Sequence, residues 1–146
     1  MAPGTTTHVV GANGSGKSSL LFATLGFIKP AEGEVSVLGQ RPHRRDRRFG
    51  RLVGYIPDSQ DEVIEELTGE EYLNLHRRLR SSNGHERASW TRDASQLACE
   101  LVLDSLHSRV ATYSHGMRKK LQIIAALQCD PAVSYTHLTL PTIYSV

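Results

Sequence analysis

The sequence predicts an α/β fold, an incomplete parallel sheet carrying a helical subdomain. Three observations lead there. A β-branched run is followed at once by a glycine-rich loop and an apolar helix. Further short apolar strands follow before residue 60. The second half then turns helical, with apolar residues recurring at three- and four-residue spacing.

The elements follow in order. "TTTHVV" (5–10) is β-branched and apolar and predicts a buried strand. "KSSLLFATLG" (17–26) predicts a helix stopped by Gly26. "KPAEG" is a turn, and "EVSVLG" (34–39) alternates as a strand should. "RPHRRDRRFGR" reads as a charged surface loop. "LVGYIP" (52–57) predicts another strand, closed by Pro57. Thr68 and Glu71 form a capping box that opens a helix, with Tyr72, Leu75, His76 and Leu79 as its stripe. "SSNGH" (81–85) is a linker. Ala94, Leu97, Ala98, Leu101 and Val102 mark a second helix. Ser114 is an N-cap, and Met117, Leu121, Ile124, Ala125 and Gln128 run down a third helix that Pro131 ends. The chain has no internal repeats.

Composition excludes several classes. At 146 residues the chain holds one domain at most, and 39% hydrophobic with 22% charged residues is ordinary for a globular protein. A net charge of +2 is too small to argue for a polyanionic partner. Cys99 and Cys129 are widely spaced and read as two buried, reduced thiols. Seven histidines lack metal-ligand spacing. No apolar run approaches the roughly 20 residues that span a bilayer. The first ten residues lack the basic start and apolar core of a signal peptide. The chain is expected to be cytoplasmic, and any membrane role must come through a partner.

The strongest chemical signal is "GANGSGKSS", residues 11–19, which fits G-x-x-x-x-G-K-[ST]. A β-branched run precedes it and a helix follows it, the context of a P-loop. Gly11, Asn13, Gly14, Ser15 and Gly16 form the loop. Gly14 and Gly16 can turn the backbone so that successive N–H groups point inward as an anion nest. The helix near Lys17 adds its N-terminal dipole. Lys17 supplies a positive charge for β- and γ-phosphates. The Ser18 hydroxyl, beside Ser19, can ligand Mg²⁺, which prefers oxygen.

A P-loop alone leaves kinases, GTPases, helicases and transport ATPases open. The segment "YSHGMRKKLQIIAALQCDP" (113–131) resembles the signature segment and following helix of ABC-type ATPases. That family usually has Leu-Ser-Gly-Gly-Gln, and here Tyr113, Ser114, His115, Gly116 and Met117 stand in those places. Ser114 and Gly116 match; His115 and Met117 depart. The form is similar to that of ATP-binding subunits paired with two-component efflux permeases. The resemblance covers residues 5 to about 132. It implies a P-loop NTPase of the ABC type, with a helical signature subdomain at about 68–115. It also implies a head-to-tail dimer in which the signature of one ATP-binding subunit caps the ATP held by the other. Taken alone, Ser114 reads as an ordinary N-cap; joined to the P-loop, it reads as part of the signature.

"VGYIPDSQDEVIEELTGEEYLNLH" resembles the family's Q-loop region, with Asp58 where Gln is usual. A carboxylate there could still touch Mg²⁺. Seven acidic and no basic residues lie between 58 and 71. They read as a solvated helix start or as a docking face for a basic loop of a permease. Six arginines fall between 41 and 51. A solvated loop accounts for them, and no direct nucleic acid is expected. Relatives that work on chromosomes carry long coiled-coil insertions. Only 55 residues, 59 to 113, separate the Q-loop region from the signature here.

Residues 133–146 contain no Asp or Glu. The family places Walker B there, with an Asp for Mg²⁺ and a Glu for the attacking water. "VSYTHLTLPT" instead resembles the translation of a transposase adapter used in sequencing libraries. We therefore expect a partial ABC ATPase domain at 1–132 and an adapter-derived tail at 133–146. The chain is expected to be truncated at both ends and inactive in hydrolysis, lacking Walker B and the switch His. The tail should be loose or fill a strand gap. The resemblance implies the ATP-binding subunit of an ABC exporter, binding MgATP and driving a separate membrane permease. The alternatives are an ABC-type ATPase acting on nucleic acid or ribosomes, and a binding-only fragment.

Overall fold

The computed structural model describes residues 4–43, 46–57, 59, 63–80 and 93–136. Asp58, and the tail beyond Thr136, lie outside the described residues. The chain forms two compact units, Met1–Asp46 and Arg47–Val146.

The first unit holds helix α1, Lys17–Thr24. Its end is a Schellman motif. Gly26 N–H donates to Ala23 O at 3.1 Å and Phe27 N–H to Phe22 O at 2.9 Å. Gly26 takes the left-handed φ of 73°, which a residue with Cβ adopts only at a cost. A Cβ there would also lie 2.7 Å from the His43 backbone nitrogen. Phe22 and Phe27 meet edge to face at 5.9 Å, the apolar contact that accompanies this motif.

Two expected strands are corrected here. Residues 5–10 form no strand, because a strand exists only by pairing and none of the described residues offers a ladder. Of residues 34–39, only one antiparallel bridge forms, Val37 to Gln40. It closes a tight turn in which Leu38 (φ 53°) and Gly39 (φ 74°) are both left-handed, as a two-residue I′ hairpin requires. The first unit keeps little apolar surface from water. Leu25 and Val37 are buried, whereas Val9, Val10, Leu20, Phe27, Ile28 and Leu38 are exposed.

The second unit carries α2 (Arg47–Leu52), β1 (Val53–Ile56), α3 (Gly69–Arg80), α4 (Ala94–Glu100), α5 (His115–Leu127) and β2 (Val133–Thr136). α2 corrects the expectation of a loop at 41–51. Its terminal carbonyls are met by Arg80, whose guanidinium donates to Gly50 O at 2.8 Å and to Val53 O, where β1 begins, at 2.6 Å. β1 and β2 pair in parallel, Val53 opposite Val133 and Ile56 opposite Thr136. Parallel neighbours need a long crossover, which the helices between them supply. The expected incomplete parallel sheet is thus present. The first four residues of the expected tail, Val133–Thr136, form one of its strands.

The core lies among α3, α4 and α5. Leu121, Ile124 and Val110 are completely buried, and Tyr72, Leu73, Leu97, Ala98, Leu103 and Tyr113 surround them. The Thr68 box forms as expected: the Thr68 N–H donates to the Glu71 carboxylate at 2.8 Å, and the Glu71 N–H to the Thr68 hydroxyl at 3.2 Å. The Thr68 N–H, and the Thr68 hydroxyl donating to the same carboxylate at 3.1 Å, hold the Glu71 carboxyl below its ordinary pKa. The expected stripe is rotated, however. Leu73 is buried beside Tyr72, and Leu79 is exposed. The reason is tertiary, since α5 packs over the Tyr72–Leu73 side.

α4 ends two residues early, at Glu100. Val102 N–H donates to Cys99 O and Leu103 N–H to Ala98 O, a second Schellman motif. Val102 therefore sits left-handed, at φ 54°, and exposed instead of on the helix's apolar face. The thiols also differ from expectation: Cys99 is exposed and Cys129 only part-buried. Burial still pushes the Cys129 thiol up, opposed by the nearby Arg80 and Arg77.

Candidate nucleotide-binding site

The P-loop residues adopt the geometry their types allow. Gly14 (φ 81°) and Gly16 (φ 87°) are both left-handed. Gly16 is the N-cap of α1, and no side chain caps that helix. Ser15 N–H turns back to Ala12 O at 3.2 Å, and Leu20 N–H closes the first helical turn onto Gly16 O at 2.8 Å. The N-cap residue thus brings no side chain to the early amides of α1, and an anion is the natural complement of such a helix start.

Lys17 bends over the loop. Its ammonium donates to Gly11 O at 2.8 Å and Ala12 O at 2.7 Å. An ammonium has three donors, so one remains for a further acceptor. Gly11 leaves room for this arrangement: a Cβ there would lie 2.6 Å from Ser15 Oγ. Gly11, Asn13, Gly14, Ser15, Gly16 and Ser19 are exposed, and Lys17 and Ser18 half-buried. The loop thus brings an amide nest, a helix N-terminus, an ammonium and the Ser18 hydroxyl into nine consecutive residues. That donor set fits a polyphosphate. Ser18 offers an oxygen to a hard cation such as Mg²⁺. Asp58, the other expected metal contact, lies outside the described residues.

The second expected segment opens α5. Ser114 is its N-cap, with Oγ accepting from Met117 N–H at 3.3 Å, and Arg118 N–H closes the turn onto Ser114 O at 3.0 Å. Ser114, His115 and Gly116 are exposed, and Met117 packs against the core. A Cβ on Gly116 would meet nothing within 4 Å, so the side facing away from the core is open.

Behind this segment stands a support that motif reading did not find. Tyr113 is 5% exposed and its hydroxyl donates to Ser105 O at 2.6 Å. Burial pushes its phenol pKa up. Gly69 lies so close that any Cβ would strike the Tyr113 hydroxyl. Arg118 pairs with Glu65 and donates to Tyr113 O at 3.3 Å. Lys120 reaches Val102 O at 3.0 Å, fixing the end of α4. Lys119 reaches Pro57 O, and Gln122 reaches Ser59 O at 3.2 Å. The only sequence signal for these contacts was polar residues interleaved with the apolar stripe of α5.

Among the described residues no cluster of His, Cys, Asp or Glu could hold a metal by itself, and no helix is long and apolar enough to cross a membrane.

Comparison with known proteins agrees with this geometry. The family profile described as ABC transporter matches residues 1–135. The chain is 36% identical over 134 residues to ATP-binding cassette sub-family A member 7 of Rattus norvegicus, covering 91% of this chain and 6% of that protein. It is 32% identical over 123 residues to the cytochrome c biogenesis ATP-binding export protein CcmA of Cupriavidus pinatubonensis, covering 84% of this chain and 52% of that one. A solved structure of the ATP-binding subunit of an ABC transporter superposes with a TM-score of 0.72 at 30% identity, covering 87% of this chain and 52% of that chain. The chain thus spans about half, or much less, of the proteins it matches. With a P-loop at residues 11–19 and the family profile spanning nearly its whole length, this chain belongs to the ABC transporter family and matches its ATP-binding domain.

Proposed function

We propose that residues 11–19 bind MgATP and that the protein acts as the ATP-binding subunit of an ABC exporter, peripheral to the cytoplasmic face of the membrane. The single observation that carries this is the α1 start: two left-handed glycines, no side-chain cap, and Lys17 folded over the loop. Gly14 to Ser18 would hold the phosphates and Ser18 the Mg²⁺, which when bound draws charge from the phosphate oxygens. Asp58 is proposed as a further contact to that ion. Export is supported by the relative named as an export protein.

Ser114, His115 and Gly116 would face the nucleotide of a second ATP-binding subunit, with Met117 seating the segment on the core, and a separate membrane permease would be the driven partner. The exposed helix start at Gly116 supports this role. Hydrolysis in this family needs acids after the signature helix. The sequence has none after Asp130, so the 146 residues are expected to bind ATP without turning it over. Residues 133–146 are proposed as adapter-derived.

The test is Gly116→Asp in a full-length relative carrying this segment. The new carboxylate would oppose a phosphate, so ATP-driven dimerisation should vanish in light scattering while each monomer still binds ATP. Dimerisation that survives the substitution refutes the role across subunits.

A further inference from the structure

We propose that Lys119 and Gln122 are positioning residues that tether the segment after β1 to the signature helix. This rests on the proposed function only for what the tether would serve.

β1 ends at Ile56, and Pro57 has no N–H to continue a ladder. Sheet pairing therefore does not hold residues 57 and 59. α5 does. The Lys119 ammonium donates to Pro57 O and the Gln122 amide to Ser59 O at 3.2 Å. The two side chains lie one turn apart on α5, so they share a face. Together they fix the backbone carbonyls on both sides of position 58.

Packing alone does not explain Gln122. It is 4% exposed, on the helix side that also buries Leu121, Ala125 and Ala126. Its Oε1 is buried with no donor, a cost that an apolar residue of similar size would avoid. The amide's one satisfied end is the end that holds Ser59. Lys119 likewise gives up water at a half-buried position to reach a neutral carbonyl.

Both residues follow Met117 by no more than two turns of one continuous helix. A displacement of the Ser114–Met117 end therefore carries the carbonyls of 57 and 59 with it. The coupling is reciprocal: whatever seats at the start of α5 biases the backbone of residues 57 and 59, and the converse.

Hydrogen exchange on the whole 146-residue chain tests this, comparing wild type, the Lys119→Met/Gln122→Leu double variant and Lys119→Arg. Without nucleotide, peptides covering 54–59 should exchange about tenfold faster in the double variant, with 115–127 unchanged. Lys119→Arg keeps a charged donor and should stay at the wild-type rate. Equal exchange of 54–59 in all three overturns the tether. Loosening of both segments together overturns it too, by showing a merely structural role. A parallel titration with MgATP judges the nucleotide reading independently. A wild type that binds no MgATP refutes that reading and leaves the exchange result decisive for the tether.

Discussion

Helices α1 and α5 begin in opposite ways. α1 starts from a left-handed glycine with no side-chain cap, and α5 from an extended serine whose hydroxyl already accepts the Met117 N–H. The first has no N-cap side chain to accept from its early amides. The second satisfies one of them internally, so any anion there competes with Ser114. On the proposed function, nucleotide affinity resides at α1, and α5 adds only what a second subunit brings to it. Their surroundings differ in the same sense. α5 is anchored by Leu121, Ile124 and a ring of side chain to carbonyl bonds, whereas α1 has no fully buried residue.

The largest expected effect comes from removing the α1 charge. Lys17→Ala deletes a charge-assisted contact worth roughly 1.5–3 kcal/mol, so ATP affinity should fall about tenfold or more. Titration calorimetry reads this directly, and unchanged affinity would equate the two helix starts. Ser114→Ala sharpens the contrast. Loss of an N-cap costs about 1 kcal/mol of stability in urea melts, and ATP affinity of the monomer should not change.

The helix ends permit the same comparison. α1 and α4 close with one motif, but Gly26 fills the left-handed position in the first and Val102 in the second. A β-branched residue at that φ is strained by roughly 1–2 kcal/mol, part of which Gly's greater unfolded-state freedom offsets. Val102→Gly should therefore stabilise the second unit by about 0.5–1 kcal/mol in chemical denaturation. No gain would mean that contacts of Val102 compensate its backbone.

The smallest effect concerns acid. His76 stacks on Tyr72 at 4.4 Å, and burial, with Arg80 one turn on, holds its imidazole below the ordinary 6.5. The unfolded chain therefore takes up the proton first. Above that ordinary value both states are neutral and no penalty exists; stability should fall as pH drops below it. The slope is at most about 1.4 kcal/mol per pH unit. Glu71, whose pKa is also lowered, contributes stability lost only below its ordinary 4.5. Urea midpoints between pH 7 and about pH 5 should thus decline in wild type and decline less in His76→Gln.

What the sequence determined by itself was local. The P-loop turn, the uncapped start of α1, the Thr68 box and the Ser114 cap are each set within a few residues by glycine freedom or by a side chain reaching its own backbone. The periodicity of α5 held because nearly every apolar position found a partner. Tertiary structure decided the rest. Residues 5–10 have the composition of a strand and no ladder, since pairing is supplied by distant chain and not by propensity. Val133–Thr136 could be loose or fill a strand gap by sequence, and it pairs with β1 because the crossover returns it there. Leu73, and not Leu79, faces inward because α5 decides which side of α3 is covered. Lys119, Gln122 and Arg80 find carbonyls 27 to 63 residues away in sequence. Such contacts leave no periodic trace, because a side chain that bonds to backbone accepts a carbonyl from any residue type.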